Sequence, residues 1–104
     1  MSDRLEQLRQ LLETDPSDPF CLYAIGMEYM NRGEHTAAAA HLEQSLLEDP
    51  AQPYAHFHRA RCLARMGQVP DALKAIENGL EVAEANEDAK ACGELMDLKK
   101  ELHG

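Results

Sequence analysis

Tryptophan is absent from this 104-residue sequence, and three Tyr and two Phe are its only aromatic residues. With Ala, Leu, Glu and Met abundant, that scarcity argues for helix and against sheet, whose strands favour aromatic and β-branched side chains. Long apolar runs are also missing. No stretch approaches the roughly 18 apolar residues that a spanning helix needs, and Met1 to Leu12 lacks the uninterrupted apolar region of a secretory signal. The expectation is a soluble, cytoplasmic protein without a membrane partner. Cysteine is scarce and odd in number: Cys21, Cys62 and Cys92 show no CxxC spacing, which suits a reducing compartment and small packing residues better than a disulfide framework. Positive charge is short as well. Ten Lys and Arg stand against nineteen Asp and Glu, for a formal net charge of −9. A surface of that sign repels a phosphate backbone and removes the main term of sequence-independent nucleic-acid binding, so a basic or neutral partner is expected.

The marks of catalysis and of metal binding are missing in the same way. No Gly-rich phosphate loop is present. His56 and His58 are two apart, which puts them on different sides of a helix, and His35 and His41, six apart, share a face poorly. No HExxH or CxxC pattern occurs. Cys21 lacks a positioned base and an oxyanion site. The chain is therefore read as no enzyme, with no metal and no cofactor.

What the sequence does contain is a repeat. Shifted by 34 residues, Gly33 falls on Gly67, Ala38 on Ala72, Leu42 on Ile76, Leu46 on Leu80, Gly26 on Ala60 and Tyr29 on Leu63, so small and apolar positions return in the same order. In the other direction Leu8 falls under Leu42, Leu12 under Leu46, and Asp15-Pro16 under Asp49-Pro50. The N-terminal segment thus reads as the second half of a repeat. Punctuation agrees: Asp18-Pro19 supplies an N-cap and a first-turn Pro, Gly33 a left-handed stop. These signals predict helices at about 19–32, 35–48, 53–66 and 69–84, with Pro53 and Pro70 in first turns, where no intrahelical acceptor is needed. Inside them apolar residues recur at helical spacing, as with Leu22, Ile25 and Tyr29 or Leu73, Ile76 and Leu80. Residues 3–14 and 86–103 read as capping helices that close the apolar ends of the stack. Residues 1–104 then form a single all-α domain, with one repeat over 19–50 and a second over 53–84.

Leu22, Ile25, Gly26, Tyr29, Ala38, Leu42, Ser45 and Pro50 resemble the tetratricopeptide signature of large, apolar, small, aromatic, small, apolar, small and Pro. The second copy keeps Ala60, Leu63, Ala72, Ile76 and Gly79. It carries His56 and Arg59 where large apolar residues are usual, and Glu84 where Pro is usual. The chain is similar to small stand-alone bacterial members of that family. The resemblance implies a right-handed superhelical stack of antiparallel helix pairs, whose concave face, lined by the first helix of each pair, binds a segment of another protein. The small residues have a physical reason, since Gly26, Ala38, Ala60 and Ala72 fall where neighbouring helices come close.

Carried over position by position, that resemblance puts Phe20, Tyr23, Met27, Met30 and Asn31 of the first copy on the concave face, and Tyr54, Phe57, His58, Arg61 and Arg65 of the second. Tyr29 is the one aromatic residue outside this set. Aromatics and Arg dominate many binding surfaces. The competing reading has the C-terminal helix fold over the groove and bury the rings as core. Arg61 and Arg65, four apart, form a positive spot suited to a carboxylate or phosphate; alternatively they pair with acids of the C-terminal helix. Arg59, at an inward position, lays its stem along apolar surface. The Lys and Asn clamp with which some relatives hold chaperone tails is not kept, since Tyr23, Met27 and His58 stand in its places. The expected partner is a protein or peptide with an acidic group beside apolar side chains. The alternative is self-association into a homodimer through the repeat ends or an apolar patch.

Overall fold

A computed structural model of the protein describes residues 3–103. Among these residues there are six helices and no strand: α1 (Arg4–Thr14), α2 (Pro19–Asn31), α3 (His35–Glu48), α4 (Pro53–Arg65), α5 (Val69–Ala85) and α6 (Ala89–His103). Local chemistry sets where they start. Asp3, Asp18 and Asp88 accept hydrogen bonds from the backbone N–H groups of Glu6, Phe20 and Ala91 at 2.9, 3.0 and 3.0 Å, satisfying donors that have no partner inside the helix. Pro19, Pro53 and Pro70 sit in first turns.

Three helices end in one and the same way. The chain turns left-handed at Gly33 (φ 77°), Gly67 (φ 80°) and Glu87 (φ 55°). The next N–H then reaches back to a carbonyl five residues earlier, Glu34 to Tyr29, Gln68 to Leu63 and Asp88 to Ala83, each at 2.9 Å, as in a Schellman motif. The third turn corrects the expected start of the last helix. Asn86 to Asp88 belong to the turn that closes α5, and α6 begins at Ala89 rather than at 86, with Asp88 as its cap. With no Pro at position 84, α5 runs on to Ala85 and is three residues longer than α3.

Each helix packs on its neighbours in sequence, and α4 also touches α2 and α6. The result is a helical-repeat stack with two apolar cores. One joins Leu5 and Leu8 of α1 to Ile25, Tyr29, Ala38 and Leu42, and reaches Cys62 of α4. The other joins Ala60 and Leu63 to Ile76, Leu95 and Leu98. Between the repeats, Ser45 is fully buried and donates to the Pro19 carbonyl at 2.8 Å, while the Gln52 amide donates to the Ser45 carbonyl at 3.2 Å and to the Asp49 carbonyl at 2.7 Å. This small polar network fixes the turn from α3 into α4.

Close approach explains two of the glycines. A Cβ on Gly26 would stand 2.8 Å from Leu42 Cγ, and one on Gly79 would stand 2.9 Å from His56 Cβ and 3.1 Å from Leu95 Cδ2. Gly79 thus lets α5 pack directly on α4 at the buried His56. Its Nε2–H donates to the Pro50 carbonyl at 3.1 Å. Around Gly93, by contrast, a Cβ would meet nothing within 4 Å.

These contacts set the expected stability changes, to be read from urea midpoints followed by circular dichroism. Gly93→Ala should stabilise the chain by about 0.5–1 kcal/mol through helix propensity. Gly26→Ala and Gly79→Ala should destabilise it by about 1–3 kcal/mol, overpacking outweighing that gain. Glu87→Gly should add about 1 kcal/mol by relieving the left-handed strain of a residue with a Cβ.

Candidate functional site

Helices α2, α4 and α6 lie side by side, with α4 in contact with the other two and no contact between α2 and α6 among the described residues. The last helix therefore forms a third wall and does not roof the groove. Two clefts result, and α4 is the ridge between them. The first, about 590 Å³, is lined by Phe57, Arg61, Ala64 and Arg65 of α4 and by Glu94, Asp97, Leu98, Glu101 and Leu102 of α6. The second, about 320 Å³, is lined by Met27, Met30 and Asn31 of α2, His35 of α3, and His58, Arg61, Cys62 and Arg65 of α4.

An aromatic cluster lies beside these clefts. His58 stands 6.2 Å from the Tyr23 ring, 6.4 Å from Tyr54 and 5.2 Å from Phe57, and Tyr54 stands 6.3 Å from Phe57, most of them edge to face, the geometry that ring quadrupoles favour. Burial, and then the positive charge of Arg61, push the His58 imidazole down to about 4 from 6.5. Its Nδ1 is enclosed and makes no hydrogen bond. The Tyr54 phenol is raised by burial first, and then by the nearby carboxylates of Glu94 and Asp88.

The repeat register explains how this surface arises. The starts of α2 and α4, Pro19 and Pro53, are 34 residues apart, and the starts of α4 and α6, Pro53 and Ala89, are 36 apart. A step of 34 carries Tyr23, Met27 and Asn31 onto Phe57, Arg61 and Arg65; a step of 36 carries His58, Arg61 and Arg65 onto Glu94, Asp97 and Glu101. At two of these positions, Met27/Arg61/Asp97 and Asn31/Arg65/Glu101, the side chain is neutral on α2, positive on α4 and negative on α6. Residues 29–95 match the sequence profile of the tetratricopeptide repeat. The chain belongs to the tetratricopeptide-repeat family. Among solved structures, it is similar to a tetratricopeptide-repeat domain protein from Salinibacter ruber, with 29% identity, a TM-score of 0.77, and coverage of 84% of this chain and 97% of that one. A protein from Bordetella parapertussis aligns at 25% identity and TM-score 0.87, over 99% of this chain and 90% of its own. MamA, 16% identical with a TM-score of 0.72 over 93% of this chain and 67% of that one, shares the fold. No functionally curated protein matches the chain.

Within this tetratricopeptide stack, nine of the ten residues expected on the concave face line the clefts or the aromatic cluster. Phe20 is apart from them, 83% exposed in the first turn of α2 and absent from both clefts. Tyr29, the aromatic left outside the set, is buried in the first core, where it accepts a hydrogen bond from Arg9 and stacks on His41 at 5.2 Å. Arg59 bridges to Glu43 of α3 at 3.2 Å. Arg61 lies 5.7 Å from the centre of the Phe57 ring, a cation–π contact. Neither Arg61 nor Arg65 makes an ion pair with α6 among the described residues, although three α6 carboxylates line their cleft. The acidic wall and His35 were not among the expected site residues. Its signal was available, since Glu94, Asp97 and Glu101, three and four apart, share one helix face.

His58 ties the groove to acid stability. Its unfolded form takes up a proton near pH 6.5 and its folded form only near pH 4, so the unfolded state binds more protons between those values. Stability is full above about pH 6.5 and is lost as the pH falls toward 4. The lowered His56, shifted chiefly by burial, adds in the same direction. The urea midpoint should drop between pH 7 and pH 4.5, and the drop should be smaller in His58→Gln.

Proposed function

We propose that this protein is a non-enzymatic interaction module that receives a segment of a partner protein on the concave face formed by α2, α4 and α6. The carrying observation is the pair Arg61 and Arg65, two guanidinium groups on the central ridge of an open groove that make no ion pair. Apart from the Arg61 contact with the Phe57 ring, their charge has no intramolecular partner among the described residues and suits a carboxylate from outside. The aromatic cluster beside them and the Met27 and Met30 side chains of the second cleft supply apolar contact of the kind that anchors partners. The family's general role in protein–protein interaction supports this reading, and the three free thiols suit a reducing compartment such as the cytoplasm.

Self-association is the second reading, and it has its own observation. Leu11, Phe20 and Leu47 are 62%, 83% and 77% exposed, and all three lie in the helix turns nearest the α1–α2 and α3–α4 connections. Affinity capture separates the two. A partner held by the natural protein should be lost with a Tyr23→Ala, Phe57→Ala, Arg61→Ala variant that keeps its helical circular dichroism. Retention of that partner by the variant would overturn groove binding. Light scattering that gives a stable dimer, broken by Phe20→Ser, would favour self-association in its place.

A further inference from the structure

Opposite charges face each other across the larger cleft and stay apart. Arg61 and Arg65 form one wall and Glu94, Asp97 and Glu101 the other, yet the ion pairs of the described residues lie elsewhere, on Arg32, Arg59 and Lys99. A guest with a single sign of charge would satisfy one wall and be repelled by the other. A guest carrying both signs satisfies both if its side chains point to opposite sides in turn.

Extended backbone does that, because successive side chains alternate. The spacing also agrees. Along a helix Arg61 and Arg65 are about 6 Å apart, as are Asp97 and Glu101, and residues i and i+2 of a strand are about 6.6–6.8 Å apart. Resting on the groove-binding reading above, we propose that the occupant is an extended protein segment of alternating acidic and basic residues. Its acids at i and i+2 meet Arg65 and Arg61, and its bases at i+1 and i+3 meet Glu101 and Asp97, so that residue i−1 faces Leu102 and residue i+4 faces Phe57. Both of these end residues are apolar.

Two fluorescein-labelled peptides of equal composition and zero net charge test this in the full chain: Leu-Glu-Lys-Glu-Lys-Leu, which alternates, and Leu-Glu-Glu-Lys-Lys-Leu, which places one acid and one base on each side. Fluorescence anisotropy should show the alternating peptide binding about tenfold more tightly, the sum of four exposed pairs. That advantage should vanish in Arg61→Glu, Arg65→Glu, and also in the milder Arg61→Gln, Arg65→Gln should the first variant lose its helical circular dichroism. Equal affinities, no binding of either peptide, or an advantage that survives both variants would overturn the proposal. Amide shift mapping distinguishes its failure from that of the broader reading. Equal binding that perturbs α2, α4 and α6 sinks only the charge alternation, whereas binding that perturbs other helices sinks groove binding with it.

Discussion

Two helices ordinarily approach until their side chains meet, and at the crossings of this stack one of the two side chains is missing. Leu42 occupies the space where Gly26 would carry a Cβ, and His56 with Leu95 occupies the corresponding space at Gly79. The first of these contacts seats α3 on α2, and the second holds α5 between α4 and α6. Because interiors are close-packed, these distances fix α2 against α3, and α4 and α6 against α5. The groove is the space left between helices held at those separations.

Most of the architecture could be read from residues that act locally. Caps at Asp18, first-turn prolines at Pro19, Pro53 and Pro70, and left-handed glycines at Gly33 and Gly67 act within a few residues of where they stand. The 34-residue overlay then paired the helices, since Gly26, Ala38, Ala60 and Ala72 sit where close contact requires small side chains. What escaped were features without a distinctive residue. Glu87 adopts a conformation usually left to Gly, so the turn between α5 and α6 carried no marker and the last helix was expected three residues too early.

The groove was legible on two of its walls and hidden on the third for the same reason. A strict period of 34 transfers Tyr23 and Met27 to Phe57 and Arg61 correctly, because α2 and α4 are in that register. It fails for α6, whose longer preceding helix delays it by two residues. Read as a cap, α6 seemed to owe the fold only an apolar side, and Leu95 and Leu98 supply it. Its acids were weighed as ion-pair partners of Arg61 and Arg65 and not as a wall of the groove. Phe20, lined up by the same family register, lies in the first turn of α2, exposed and outside both clefts.

The strained turn at Glu87 has a consequence for how the molecule opens. In a stack whose stability is a sum over neighbouring contacts, the terminal element can detach without unfolding the rest, and a junction in a costly backbone conformation favours that detachment. Here the terminal element is also the carrier of the carboxylates. A transient fraying of α6 would convert the surface from one of facing opposite fields to one with a bare cationic ridge.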